Sequence, residues 1–125
     1  MAEPRQASRI LVVEDEEIIA EMLVEMLTDA DYTAVGPYLH FAEALRAAET
    51  ETFVAAVLDI NLSGRPSHPI AEALTRRHLP FVFLTGYGRG ARPAGYAKTP
   101  IVGKPFESVE LLDALMQTMM VSPVP

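Results

Sequence analysis

Five short and mainly apolar segments recur along the chain and predict five strands. The segments are Arg9–Val13, Thr33–Tyr38, Phe53–Leu58, Pro80–Leu84 and Ile101–Val102. In the third, Val54, Val57 and Leu58 place apolar side chains on both faces rather than on alternate positions. Such a run is typical of a central parallel strand that helices cover on both sides. It ends abruptly at a carboxylate, Asp59.

Segments with helical periodicity lie between these strands. Ile18, Met22 and Met26 form one apolar row, with a second row beside it, and predict a helix that continues to about Ala30. The neighbouring row consists of Ile19, Leu23 and Leu27. Further helices are predicted at Phe41–Glu49, at about Ile70–His78, and after a cap at Ser108. The predicted buried side of the last helix consists of Val109, Leu112, Leu115, Met116 and Met119.

Two connections are rich in residues that interrupt helices. Between the fourth and fifth strands stand Gly86, Gly88, Gly90, Pro93, Gly95 and Pro100. Inside a helix each glycine costs about 1 kcal/mol and each proline about 3 kcal/mol, so we expect a mostly irregular segment with one helical turn at most. Asn61–Pro69, which contains Gly64, Pro66 and Pro69, is predicted to be a loop.

Strands that alternate with helices predict an α/β fold with a doubly wound, five-stranded parallel sheet and right-handed crossovers. The chain has 125 residues, enough for one domain with its own hydrophobic core. We expect that domain to span residues 9–120, after a disordered N-terminus at residues 1–8 and before a flexible tail at residues 121–125.

Charge and composition narrow the classes of partner. The chain has 10 Lys and Arg against 17 Asp and Glu, a net charge of −7 that argues against a nucleic-acid surface. It has no cysteine, which excludes a disulfide scaffold and a thiolate zinc site and fits a reducing compartment. No window approaches the roughly 20 apolar residues of a membrane helix, and residues 1–8 do not form a signal peptide. We expect a cytoplasmic protein whose partners are proteins or cations.

Chemically capable side chains stand where four of the strands end. Glu14 and Asp15 follow the first strand, Asp59 the third, Thr85 the fourth and Lys104 the fifth. Ligand sites of open α/β sheets lie just outside the carboxyl ends of the strands, so these residues are expected to share one crevice.

The residue types meet the needs of phosphoryl transfer. A carboxylate such as that of Asp59 is a competent nucleophile for a phosphoryl group and forms an acyl phosphate. Neighbouring acids would repel it unless a divalent cation lay between them, and oxygen ligands of this kind suit Mg²⁺ or Mn²⁺. Lys104 would neutralise charge on the transferring oxygens. The Thr85 hydroxyl can reorient toward a newly bound phosphate.

Each residue also has an ordinary structural interpretation. The acidic run Glu14–Glu17 would stabilise a helix N-terminus through the macrodipole. Asp59 and Thr85 could belong to turns, and Lys104 could be a solvated lysine before a helix. Their joint occurrence at the strand ends of one predicted sheet favours a site.

With these motifs the chain resembles the receiver domain of two-component response regulators over essentially its whole length. The motifs that carry the resemblance are Glu14-Asp15, Asp59-Ile60-Asn61, Thr85-Gly86 and Lys104-Pro105-Phe106. The resemblance implies that Asp59 is the phosphoacceptor, with Asp15 and Glu14 as metal-binding acids. It further implies that Asn61 completes the metal shell through its main-chain carbonyl, that Thr85 is the switch hydroxyl, and that Lys104 binds the phosphate. The implied phosphodonor is a histidine kinase or a histidine phosphotransfer protein.

Three departures from the usual receiver pattern stand out. Ile101 occupies the position, three residues before the lysine, where receivers usually carry a switch aromatic. The segment Phe81–Tyr87 is similar to the signature of the alphaproteobacterial FAT GUY regulators, with Leu84 in place of an alanine, and that subgroup has a short or missing fourth helix. Tyr87 is therefore a candidate for the missing aromatic, with a surface tyrosine as the alternative. Glu14 replaces a commoner aspartate.

The sequence thus predicts a stand-alone, flavodoxin-like receiver that accepts phosphate on Asp59 and signals to a downstream protein target, and that is not an enzyme in the ordinary sense. The main alternative is a receiver-like binding module that does not depend on phosphorylation. A haloacid dehalogenase-type phosphatase needs a second aspartate two positions after the nucleophile, where Asn61 stands. A mononucleotide binder is disfavoured because the first strand leads to acids rather than to a phosphate-binding turn.

Overall fold

Seven strands and four helices follow one another along residues 8–86 and 93–120, the part of the chain that the computed structural model describes. The strands are β1 (Arg9–Val13), β2 (Thr33–Tyr38), β3 (Ala55–Asp59), β4 (Asn61–Leu62), β5 (Arg65–Pro66), β6 (Phe81–Thr85) and β7 (Ile101–Gly103). The helices are α1 (Glu17–Asp29), α2 (Phe41–Thr50), α3 (His68–Arg76) and α4 (Ser108–Met120). None of these helices is long and apolar enough to cross a bilayer.

The five longer strands form one parallel sheet in the order β2-β1-β3-β6-β7. This is the flavodoxin-like order, in which a crevice opens where the direction of winding reverses. The register brings the ends of the central strands level, since Asp59 pairs with Leu84 and Thr85 pairs with Gly103. The predicted fold class is confirmed.

Helices cover both faces of the sheet. On one face, Leu58 and Phe83 pack in a buried cluster with residues of α2 and α3. On the other, Val57 and Val82 pack with Leu23 and other residues of α1 and α4. Successive strand residues point to opposite faces, so a strand covered on both sides is apolar throughout. Every residue of β3 and β6 is buried accordingly.

The segment predicted to be a loop at Asn61–Pro69 is more regular than expected. Strands β4 and β5 form a small antiparallel hairpin within it. Its turn residues, Ser63 and Gly64, have φ of 52° and 86°, and two positive φ angles are the mark of a two-residue hairpin turn. Helix α3 then begins at His68 rather than Ile70, because a proline such as Pro69 is tolerated in the first turn of a helix.

The predicted buried side of the last helix is partly wrong. Val109 and Met116 are 67% and 50% exposed, whereas Leu111 and Leu115 are completely buried. In α1 likewise, Ile18 is 75% exposed. Both helices carry apolar residues around much of their circumference, so periodicity alone could not decide which row faces the sheet. The helix predicted to follow a Ser108 cap begins at Ser108 itself.

Between β6 and β7, the described residues 93–100 form turns and no helix. The N–H of Tyr96 donates to the Pro93 carbonyl and the N–H of Thr99 to the Tyr96 carbonyl. This agrees with the irregular connection predicted from its glycines and prolines. Residues 87–92, the tail at 121–125 and all but Ser8 of the predicted disordered N-terminus lie outside the described residues.

Candidate functional site

The sheet brings the predicted strand-end residues to one edge. Glu14 and Asp15 directly follow β1, Asp59 is the last residue of β3, and Thr85 is the last residue of β6. Lys104 directly follows β7. Because β1, β3, β6 and β7 are consecutive neighbours in a parallel sheet, their carboxyl ends form one continuous edge.

Three carboxylates crowd together at this edge. Glu14, Asp15 and Asp59 each offer an oxygen, and these atoms all lie within 4.8 Å of one another. Glu14 is completely buried and Asp59 is only 5% exposed. Buried acids at this separation repel one another, and removing them from water is costly unless a positive charge compensates them.

Lys104 supplies one compensating charge. Its Nζ lies 2.8 Å from Glu14 Oε1, 3.2 Å from Asp59 Oδ2 and 3.6 Å from Glu16 Oε1. Burial alone would lower the pKa of the Lys104 ammonium, but the Glu14 and Asp59 carboxylates outweigh that effect and raise it. Lys104 is therefore firmly cationic.

One cation does not satisfy the three acids. Glu14 Oε1 is buried and has the Lys104 ammonium, at 2.8 Å, as its ion-pair partner. Three carboxylates whose oxygens lie within 4.8 Å of one another are a donor set of the kind that hard divalent cations such as Mg²⁺ take. Glu14, Asp15 and Asp59 thus fit such a cation.

Asp59 is at the centre of the cluster. Its Oδ2 accepts from Lys104 Nζ, and its Oδ1 accepts from the Asn61 N–H at 3.3 Å. Burial, and then the charge of Glu14, raise the pKa of Asp59 to about 7, against the opposing effect of Lys104. A further positive charge at the cluster would favour the ionised carboxylate, which is the nucleophilic form.

Asp15 has a different environment. It is only partly buried, and its Oδ2 accepts a hydrogen bond of 2.7 Å from the Ser63 hydroxyl. Burial raises its pKa, but hydrogen bonds, that of Ser63 foremost, outweigh burial and lower it. Sequence reasoning missed Ser63, although the dipeptide Ser63-Gly64 just after Asp59 is a recognisable turn signal.

Glu16 is a second residue that sequence reasoning did not single out. Its N–H donates to Glu14 Oε2 at 3.0 Å, and its own carboxylate reaches Lys104 from the solvent side with 61% of the side chain exposed. The available sequence signal for Glu16 was its position in the acidic run Glu14–Glu17, but helical periodicity could not show which of these acids points toward the site.

The remaining predicted residues are placed as follows. The side chain of Asn61 is engaged in the hairpin, where its Oδ1 accepts from the Gly64 N–H at 2.7 Å. Thr85 is 1% exposed, and its carbonyl accepts from the Lys104 N–H at 2.8 Å. Tyr87 lies outside the described residues, and Ile101, at the usual aromatic position, is buried in the core.

Similar proteins of known structure share this architecture. SdrG from Sphingomonas melonis Fr1 is 38% identical, with a TM-score of 0.81 over 94% of this chain and 99% of that one. The receiver domain of the sensor histidine kinase PA1611 from Pseudomonas aeruginosa PAO1, solved with magnesium in its active-site cleft, is 21% identical. Its TM-score is 0.78, over 91% of this chain and 98% of that one.

A curated relative and a protein family match the sequence as well. The transcriptional activator protein IrlR of Burkholderia pseudomallei is 34% identical over 112 residues, which cover 83% of this chain. The chain spans about half (47%) of that relative's length. Residues 10–116 match the sequence model of the response regulator receiver domain. With the parallel sheet and the acidic edge already described, this match shows that the chain belongs to the response regulator receiver domain family.

Proposed function

We propose that this chain is a phosphoacceptor, which takes a phosphoryl group from a histidine kinase or a histidine phosphotransfer protein onto Asp59 and signals by a conformational change to a protein partner. One observation carries the proposal: the buried Asp59 lies between a cationic Lys104 and two further acids at the crevice of a receiver fold. These surroundings suit a carboxylate that attacks phosphorus as a nucleophile.

Glu14, Asp15 and Asp59, together with the main-chain carbonyl of Asn61, would hold Mg²⁺ or Mn²⁺. The engagement of the Asn61 side chain with Gly64 supports a main-chain role for this residue. When bound, the cation would neutralise charge on the phosphoryl oxygens and on the acids. The magnesium in the cleft of the PA1611 receiver domain agrees with this assignment.

In the transfer step, an Asp59 oxygen attacks the phosphorus of a phosphohistidine. A P–O bond forms while the P–N bond breaks, and the electron pair of that bond stays on the imidazole nitrogen, which takes up a proton. The product is an acyl phosphate on Asp59. Lys104, already 3.2 Å from Asp59 Oδ2, is placed to pair with the phosphoryl oxygens instead.

The response would begin at Thr85. Its hydroxyl is the proposed donor to the new phosphoryl group, and its carbonyl is already bonded to the N–H of Lys104. A movement of Thr85 would therefore be felt in both β6 and β7 and in the adjoining turns at residues 93–100. Tyr87 remains a candidate for the aromatic that follows this movement.

The proposed chemistry is stoichiometric, with slow hydrolysis of the acyl phosphate, rather than that of a phosphatase. A haloacid dehalogenase-type phosphatase needs a second acid two residues after the nucleophile, and Asn61 stands there with its side chain bound within a turn. Of the two acids that such an enzyme uses, this chain has the nucleophile, Asp59, and lacks the acid/base two residues after it.

Intact-protein mass spectrometry tests the proposal. Wild type, Asp59→Asn and the exposed control Asp113→Asn are each incubated with a small acyl phosphate, or with a phosphorylated histidine kinase, in Mg²⁺ or in chelator. Wild type and Asp113→Asn are expected to gain one phosphoryl group in Mg²⁺, and Asp59→Asn none. Sustained turnover of donor would indicate a phosphatase instead. No transfer from either donor would indicate a phosphorylation-independent binding module.

A further inference from the structure

The hairpin that follows the phosphoacceptor strand reaches across to the first strand. The Ser63 Oγ donates to Asp15 Oδ2 at 2.7 Å and so joins two residues 48 positions apart. A hydroxyl that donates to an ionised carboxylate makes a short, charge-assisted hydrogen bond, although solvent weakens this one because it is exposed. The contact therefore constrains the rotation of the Asp15 side chain.

The hairpin turn fixes where this hydroxyl points. Ser63 has φ of 52°, in the left-handed region that serine rarely adopts. The turn is closed by the bond from the Gly64 N–H to Asn61 Oδ1, and the Asn61 N–H also donates to Asp59 Oδ1. One short segment thus contacts two of the three clustered acids.

We propose that Ser63 is a positioning residue of the cation site: through its hydroxyl it holds the carboxylate of Asp15 in the orientation that a divalent cation requires. Hydrogen bonding of Oδ2 to Ser63 leaves the second Asp15 oxygen available to a metal. Without that bond the partly exposed carboxylate loses the foremost of its hydrogen bonds and can take more orientations, which binding a metal must then restrict. The inference rests on the proposed function, because it assumes that Asp15 holds Mg²⁺.

A second anchor of the same hairpin provides a matched control. The guanidinium of Arg65 lies 3.8 Å from the centre of the Phe41 ring and attaches the hairpin to α2, and within residues 8–86 and 93–120 it contacts no acid. Removal of this contact loosens the hairpin but leaves the Ser63 hydroxyl in place. A comparison of the two changes separates the hydroxyl from the general order of the segment.

The experiment measures the Mg²⁺ dissociation constant by isothermal titration calorimetry, and the free energy of unfolding in chelator, for wild type and three variants. Ser63→Gly removes the hydroxyl and relieves the left-handed backbone, whereas Ser63→Ala removes the hydroxyl and keeps the strain. Both are expected to raise the dissociation constant about tenfold, the lower end of losses seen when the partner of a metal ligand is removed. Arg65→Ala is expected to change the dissociation constant less than about twofold. Because alanine keeps the left-handed strain that glycine relieves, Ser63→Ala should have a lower free energy of unfolding than Ser63→Gly.

Several results would overturn the inference. If the hydroxyl positions Asp15, Ser63→Gly must weaken Mg²⁺ binding. An unchanged dissociation constant in this variant therefore contradicts the inference. A rise confined to the strained Ser63→Ala, or an equal rise in Arg65→Ala, would contradict it as well. If wild type itself fails to bind Mg²⁺, the metal role in the proposed function is wrong too, which distinguishes that failure from the others.

Discussion

The middle of the sheet and the last residues of β3 and β6 are both buried but differ in what burial does to their side chains. Leu58 and Leu84 are fully buried, and the residues that follow or pair with them, Asp59 and Thr85, are 5% and 1% exposed. Burial of a leucine side chain stabilises the fold by roughly 2 kcal/mol, whereas burial of a carboxylate disfavours its charged form. Burial therefore stabilises the fold at Leu58 and disfavours the charged form of Asp59, the next residue of the same strand.

This difference shows where the fold is suited to a ligand. In the middle of the sheet, apolar contacts complete the structure without any partner. At the edge, Glu14, Asp15 and Asp59 cluster together, and Lys104 pairs with only two of them, Glu14 and Asp59. A site with an excess of buried negative charge is stabilised by whatever cation or cationic group enters it. We therefore expect removal of an apolar side chain in the middle to destabilise the fold, and neutralisation of an acid at the edge to stabilise it.

The largest effect is expected in the middle of the sheet. Phe83 is fully buried and contacts the rings of Phe81 and Tyr96 at centroid distances of 5.2 and 5.7 Å. Phe83→Ala should lower the free energy of unfolding by about 4 kcal/mol, because it leaves a cavity. Urea unfolding followed by circular dichroism measures this. The exposed Met116→Ala is the control and should change stability by less than about 0.5 kcal/mol. A loss of similar size in both variants would contradict the described core.

The next effect is expected from a substitution that removes the positive charge at the edge. Lys104→Met removes the cation from Glu14 and Asp59, and should lower the free energy of unfolding by about 3 kcal/mol at pH 8. The loss should be smaller at pH 5, because Asp59, with a pKa of about 7, is then protonated. The exposed Lys98→Met should be neutral at both pH values. A loss that does not depend on pH would show that Lys104 acts through packing rather than charge.

The third effect has the opposite sign. Asp59 has a pKa of about 7 in the folded chain against an ordinary value of 3.8. Between these values the folded state binds more protons than the unfolded state, so stability falls as pH rises. Asp59→Asn cannot ionise and avoids this fall. In chelator it should therefore exceed wild type at pH 8 by up to about 4 kcal/mol, the full value of a pKa shift from 3.8 to about 7, and match it near pH 4. Denaturant titrations across pH measure the difference, and Asp113→Asn should not reproduce it.

Much of the fold could be predicted from the sequence, because local patterns determine it. The apolar run before Asp59 indicated a strand buried on both sides, and the glycines and prolines before Ile101 indicated an irregular connection. The face of α4 could not be predicted, because Val109 and Leu111 are both apolar and only the sheet decides which is covered. The hairpin at Ser63-Gly64 was missed because two-residue strands carry no periodic signal.

Which residues form the site could be predicted from the sequence, but how they contact one another could not. Strand-end positions identified Glu14, Asp15, Asp59 and Lys104, because parallel strands share one edge. The bond from Ser63 to Asp15 depends on the path of a turn in three dimensions, which nothing in the local sequence specifies. The same holds for Glu16, whose approach to Lys104 depends on where α1 begins.

The central claim is that the acidic edge is a cation site whose burial cost a metal offsets. The most direct test is the free energy of unfolding at pH 8 with and without Mg²⁺, for wild type and Asp59→Asn. At Mg²⁺ about ten times its dissociation constant, wild type should gain about 1.4 kcal/mol. Asp59→Asn, which lacks one of the three acids, should gain much less at the same concentration. An equal gain in both proteins, or none in wild type, would contradict the account.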